Sequence, residues 1–313
     1  MKRHLTPVVV AGCPRSGSTI LAHMLALSRD TIYLEEPLNH ETGVRGADEP
    51  FLYLNPQEPN DHYDAVVQEI LGGKATFKRN RFQPKTKNPA RWLFYKLFIN
   101  RYNVRYNRDY LNPLARFIIS KDPTATLATE YLAQRFGYKV VLTVRHPCGV
   151  AVSHQRLGWG GPVTTLLRHK ELVRQLSKEV EHLNPDKLND IERLAWYWRI
   201  VNESLILFAR RNPDMIIVEH ETFSRQPVAI VEKLYASLDM RFTDRIRCKV
   251  QALTSGDNPT DPRADRAHTL KRNSRDNIER WRKHLDQKDI DTIMKICGPT
   301  YKKIQELPNI LSV

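Results

Sequence analysis

The sequence contains no apolar run approaching the ~18 residues that a membrane-spanning helix needs. Its four cysteines, Cys13, Cys148, Cys248 and Cys297, are scattered, with no Cys-x-x-Cys spacing and no histidine pairing suited to zinc. They read as free thiols, and no metal site is expected. Behind the basic start Met1-Lys2-Arg3-His4, the apolar stretch covers only Val8 to Ala11 before Gly12 and Pro14 interrupt it. That is too short for the core of a secretory signal, so a cytoplasmic location is the expectation. Acidic residues are missing between Glu69 and Asp109, a stretch crowded with lysine and arginine. Internal repeats and low-complexity tracts are absent as well.

What is present suits a globular enzyme or a binding domain. With 313 residues, 41% hydrophobic and 27% charged, the chain suffices for one large α/β domain spanning 1–313. The net charge of +14 favours an anionic partner: nucleic acid, acidic lipid or a polyphosphorylated small molecule. Short β-branched runs at Thr6 to Ala11, Thr31 to Leu34, Phe117 to Ser120, Lys139 to Val144 and Asp214 to Val218 are separated by stretches of helical period. This alternation predicts a central parallel sheet flanked by helices. Helices are expected at Ser18 to Leu27, Thr124 to Phe136, Gly149 to Arg156, Asp190 to Arg211, Val228 to Leu238 and Asn277 to Leu285. A basic helical insertion is expected over roughly 70–110, and Thr254 to Arg266 reads as a loop.

The first strand leads into Gly12-Cys13-Pro14-Arg15-Ser16-Gly17-Ser18-Thr19 and then directly into a helical pattern. Strand, glycine-bearing loop and helix form an anion cradle, because backbone N–H groups and the positive end of the helix converge on one oxyanion. The spacing matches the nucleoside-triphosphate loop G-x-x-x-x-G-K-[ST] except that Ser18 replaces the lysine, while Arg15 places a cation earlier in the loop. A loop that grips triphosphates uses that lysine on the β- and γ-phosphates and the hydroxyl on Mg²⁺. Its absence points to a ligand with one phosphate here and no bridging metal. A second anion site is predicted where the fourth strand ends in Arg145-His146-Pro147, with Ser153 eight positions after the arginine. Ligands of open parallel sheets sit outside the carboxyl ends of strands, and an arginine fork suits a phosphate. Two separated phosphate sites describe a bis-phosphorylated adenosine better than ATP.

In this combination the sequence resembles the sulfotransferases that use 3′-phosphoadenosine 5′-phosphosulfate (PAPS), the carbohydrate and tyrosylprotein branches above all. Pro14 to Thr19 fits the family's 5′-phosphosulfate loop, and Arg145 with Ser153 fits its 3′-phosphate pair. Glu35-Glu36-Pro37-Leu38 and Lys121-Asp122-Pro123 resemble recurrent motifs that follow the second and central strands. Leu270-Lys271-Arg272-Asn273-Ser274, ahead of Trp281, resembles the basic loop that closes over the nucleotide. The resemblance spans about residues 8 to 285. It implies a P-loop NTPase-like fold, sulfuryl transfer to an acceptor hydroxyl, PAPS as co-substrate without metal, and nucleotide contacts from Arg15, Ser16, Gly17, Ser18, Thr19, Arg145, Ser153, Lys271 and Arg272. It also implies a nucleotide-closing loop and helices over roughly 254–313. The catalytic histidine and Gly-rich C-terminal loop of the cytosolic small-molecule branch are missing from their expected places, which weakens a carry-over of phenol or steroid substrates; the branch resemblance implies a saccharide or glycolipid acceptor, with a peptide tyrosine or a small metabolite left open.

Glu36 is the expected general base, aimed by an extended backbone ahead of Pro37, with Glu35 pointing to the other face. Arg15 and Lys121 are the expected cations for the charge growing on the leaving oxygen, although a Lys121 paired to Asp122 at a strand end is an equally ordinary arrangement. Within the insertion, Trp92, Tyr95, Ile99, Tyr102 and Tyr106 recur at near-helical spacing. Core packing, an acceptor platform and a peripheral membrane contact through 89–106 all fit that pattern. His154, Trp159 and Gly158 to Gly161 fit either the border of the acceptor cleft or a simple connecting loop. Two rival functions follow from the same features. A P-loop small-molecule or nucleotide kinase would need Mg²⁺ and the missing lysine, and a basic nucleic-acid-binding protein would leave the ordered loops without a purpose.

Overall fold

The computed structural model describes residues 4–78, 88–92, 101–256, 258, 275 and 278–312. The β-branched runs form one all-parallel sheet of β1 (Thr6–Gly12), β2 (Thr31–Glu35), β3 (Phe117–Lys121), β4 (Lys139–Val144) and β5 (Ile216–Glu219), ordered β2-β3-β1-β4-β5. Register brings Val10 opposite Lys121 on one side and Gly12 opposite Thr143 on the other. The central strand therefore delivers its loop between the ends of β3 and β4. Chain direction in the strand order reverses about β1, and such a switch point opens a crevice at the carboxyl edge.

Strand alternation divides the core between two faces. Val8 and Val10 pack with Leu21, Met24 and Leu25 of α1 (Ser18–Leu25). Val9 and Ala11 face the opposite layer, where α2 (Asp61–Leu71), α3 (Arg101–Tyr110), α4 (Thr129–Phe136), α5 (Pro147–Gln155) and α6 (Asp190–Arg211) lie. After β5 come α7 (His220–Arg225), α8 (Pro227–Ser237), α9 (Asp244–Thr254) and α10 (Gln287–Gln305). Short helical turns at Val163–Leu167, Lys170–Val173 and Lys178–Glu181 join α5 to α6. The last residues return to the edge of β5, where Leu311 N–H donates to Ile217 O at 2.7 Å. Among the described residues, no helix is long and apolar enough to cross a membrane.

Several expectations shift. The helix expected from Thr124 divides into a 3₁₀ turn (Pro123–Ala128) and α4. The described part of the expected Asn277 to Leu285 helix is a 3₁₀ turn at Arg280–Lys283, with Asn277 outside the described residues. The basic segment is only partly described. In it, Tyr106 is buried and its hydroxyl donates to Ile70 O at 2.8 Å, while Tyr102 stacks on Phe77 at 5.7 Å. Core packing thus accounts for the aromatic face of α3; Tyr95 and Ile99 lie outside the described residues.

Candidate active site

The loop after β1 is held from below by side chains of neighbouring strands. Thr143 of β4 donates its hydroxyl to Ala11 O at 2.9 Å, so the 2.6 Å contact between Ser16 Oγ and Thr143 Oγ1 has Ser16 as donor. Ser16 is thereby fixed in the floor of the loop, with its N–H on Cys13 O at 2.9 Å. Gly17 precedes α1 at φ 105, and a Cβ there would stand 2.7 Å from His220 Nδ1. Only glycine allows both that conformation and that approach. Ser18 and Thr19 occupy the first turn of α1, where backbone N–H groups lack intrahelical partners.

Arg15 and Glu36 are two of the four described non-glycine residues at positive φ, at 76 and 50 respectively. Backbone strain of this kind gathers where side-chain aim matters. Arg15 Nε donates to Ser153 Oγ at 3.0 Å, and its guanidinium carbon lies 5.9 Å from the centre of the Trp159 ring. Arg145 at the end of β4 donates from Nη1 to Arg15 O at 3.3 Å. The residues of the two predicted anion sites therefore adjoin, with Arg15 contacting both members of the second pair.

Arg145 is tightly framed. Trp198 Nε1 of α6 donates to its carbonyl at 3.0 Å, and a Cβ on Gly149 would stand 2.9 Å from its Nε. That Nε is buried and has no hydrogen-bond partner among the described residues. Burial pushes the guanidinium down from its ordinary value, the Glu221 charge opposes this and Arg280 adds to it; an arginine stays a cation regardless. Next in the chain, His146 stacks flat on Trp281 at 4.7 Å, and burial, helped by Arg282 and Arg145, lowers its imidazole to about 4. It is a neutral packing residue.

On the other side of the loop, the end of β2 meets the end of β3. Glu36 does not have the extended backbone expected ahead of Pro37: at φ 50 it turns left-handed, with its N–H on Lys121 O at 2.7 Å. The turn cancels the strand alternation. Lys121 Nζ is hydrogen-bonded to Glu36 Oε1 and lies 3.9 Å from Glu35, so both carboxylates share one buried ammonium. Asn39 Nδ2 secures the other Glu36 oxygen at 2.8 Å. Asp122 is no ion-pair partner of Lys121; it accepts Leu38 N–H at 2.6 Å and the Thr124 hydroxyl at 2.7 Å, capping the 3₁₀ turn.

His154 Nε2 contacts Pro14 O at 3.3 Å, and Trp159, edge-on to its ring at 5.7 Å, is 45% exposed. Cys13 and Cys148 are buried free thiols, each pushed up to about 12 by burial, and hence unreactive. Lys271 and Arg272 lie outside the described residues. The sequence reading does not mark Asn39, Thr143, Trp198 or Glu221 as site residues. Only Asn39, three residues after Glu36 in a turn, carried a local signal.

The sequence matches the model of the sulfotransferase family over residues 7–244. No curated protein sequence matches it. Among solved structures it is similar to the sulfotransferase domain from the curacin biosynthetic pathway, at 13% identity, covering 96% of this chain and 98% of that one, with a TM-score of 0.47. The sulfotransferase domain from the Synechococcus PCC 7002 olefin synthase is similar at 16% identity, covering 94% and 95%, with a TM-score of 0.45. Retinol dehydratase, in complex with androsterone and the inactive cofactor PAP, is similar at 14% identity, covering 96% and 81%, also at 0.45. The family match takes in the phosphate loop, the Glu36–Lys121 pair and the Arg145 end of β4 together, and on it the chain belongs to the sulfotransferase family.

Proposed function

We propose that the protein transfers a sulfuryl group from PAPS to a hydroxyl of a saccharide or glycolipid. The observation that supports this reading is the contact of both Arg145 and Ser153 with Arg15, which sets the residues of the two proposed anion subsites side by side. Residues 16–19 would receive the 5′-phosphate, and Arg145 with Ser153 the 3′-phosphate. The half-exposed Trp159 beside Arg15 offers a flat apolar surface to a sugar ring.

In the proposed reaction the acceptor oxygen attacks sulfur and the bond from sulfur to the bridging phosphate oxygen breaks. Glu36 takes the hydroxyl proton, and Arg15 and Lys121 meet the negative charge left on the bridging oxygen. Lys121 is hydrogen-bonded to Glu36 among the described residues. As charge builds on the leaving oxygen, the ammonium turns toward it and frees the Glu36 carboxylate to accept the proton. The two roles are thus linked through one lysine. Removal of one such cation costs ~3 kcal/mol of transition-state stabilisation.

Purified protein with PAPS and a panel of saccharides and glycolipids is expected to release adenosine 3′,5′-bisphosphate. Glu36→Gln should lower turnover by at least ~100-fold while calorimetry shows the bisphosphate still bound. Arg145→Ala should do the reverse, weakening nucleotide binding first. Full activity in Glu36→Gln removes that residue from the mechanism, and tighter binding of Mg²⁺-ATP or an oligonucleotide than of the bisphosphate refutes the reading.

A further inference from the structure

Glu221 has no part in the scheme above, yet it is buried with 5% exposure beside Arg145. It stands near the start of α7, just past the end of β5. Its Oε1 accepts the His146 N–H at 3.1 Å, while its Oε2 is buried without a hydrogen-bond partner among the described residues. The His146 N–H belongs to the peptide that leaves Arg145. The Arg145 carbonyl in that same peptide is held by the Trp198 indole at 3.0 Å. Both polar groups of one peptide unit are therefore clamped by side chains from separate elements. The guanidinium beyond is hemmed in by Gly149 and tied to Arg15 O, with its Nε buried and without a hydrogen-bond partner among the described residues.

We propose that Glu221 is a positioning residue for Arg145: by anchoring the Arg145–His146 peptide it aims the guanidinium at the 3′-phosphate, and so sets the preference for a 3′-phosphorylated nucleotide. The inference rests on the function proposed above. Reach does the work, rather than charge. Burial raises the Glu221 carboxyl above its ordinary value, with the Arg145 charge opposing this, so the pocket does not favour a carboxylate for its charge. The hydrogen-bonded oxygen is the part the geometry uses.

Two variants separate reach from charge. Glu221→Gln keeps the oxygen in place and removes the charge; Glu221→Asp keeps the charge and withdraws the oxygen by one methylene. Binding of adenosine 3′,5′-bisphosphate and of adenosine 5′-monophosphate is measured by calorimetry, with thermal unfolding alongside. In Glu221→Gln both affinities are expected within about threefold of wild type. In Glu221→Asp the bisphosphate should weaken about tenfold or more, with the monophosphate within about twofold. If PAPS turnover is measurable, the Asp variant should raise KM for PAPS and spare kcat. Equal weakening of both nucleotides by Asp, an unchanged bisphosphate affinity, or selective loss in Gln instead of Asp would each overturn the positioning role. A wild-type protein with no preference for the bisphosphate refutes the functional reading itself, a result distinct from these.

Discussion

Lys121 has 1% of its side chain exposed, and an ammonium buried to this degree is tolerated only when paired. Its partners, Glu36 and Glu35, lie at the end of the adjacent strand, and Asp122 follows it in the chain with its own carboxyl buried. Burial, with the Glu36 charge adding, pushes the Asp122 carboxyl up to about 6 from an ordinary 3.8. The folded chain keeps that proton over a range where the unfolded chain has lost it. Asp122 therefore supports folding most at pH 4 and below, and that support fades as pH rises through about 6. The stability advantage of wild type over Asp122→Asn should accordingly shrink by about 1–2 kcal/mol between pH 5 and pH 7.5 in urea unfolding. A difference that stays flat across this range would mean that Asp122 is ionised throughout.

At the scale of elements, legibility followed local signals. Helix α6 runs from Asp190 to Arg211 as its apolar face of Leu194, Trp198, Val201, Leu205 and Phe208 indicates in the sequence, and its start is fixed by a capping box in which Asn189 and Glu192 each accept the other's backbone N–H at 3.0 Å. Asn189→Ala should cost about 1 kcal/mol in thermal or denaturant unfolding. The cap lies two turns from Trp198, so bisphosphate affinity should stay within about twofold; a larger loss would show that fraying reaches the Arg145 clamp. The phosphate loop and Arg145 were legible for a related reason, since each sits where a strand pattern stops. Helix α10 falls within the helices that the family resemblance implies over roughly 254–313, but its bounds are not legible from periodicity, because Pro299 lies inside it and its buried positions, Ile293, Cys297, Thr300 and Ile304, are spaced among many polar residues. The left-handed turn at Glu36 was illegible, because a residue before proline is ordinarily extended. The supports Thr143, Trp198 and Glu221 come from β4, α6 and α7, and only the folded register brings them under the loop.

At the scale of the whole molecule, the C-terminal third is joined to His146, next to Arg145, through aromatic contacts. Trp281 lies 7% exposed on His146, and Tyr301 of α10 meets the same imidazole edge-on at 5.3 Å. Trp281→Ala should lower stability by about 3 kcal/mol, the usual cost of emptying a buried indole site. It should also weaken bisphosphate binding, since the residue beside Arg145 loses its cover. A large drop in melting temperature with unchanged nucleotide affinity would separate this contact from the site.

The strand order has an additional consequence for how specificity can change. The phosphate loop and Arg145 end β1 and β4, neighbours set ~4.8 Å apart by backbone pairing, so the span between the phosphate grips is a property of the sheet. Glu36 ends β2, an outer strand whose one sheet neighbour is β3. On the function proposed, the donor side is thus a fixed gauge, whereas the margin facing the acceptor can be rebuilt by substitution or insertion without moving that gauge. Relatives differing in what they sulfate would be expected to diverge around residues 37–110 and to agree at the ends of β1 and β4.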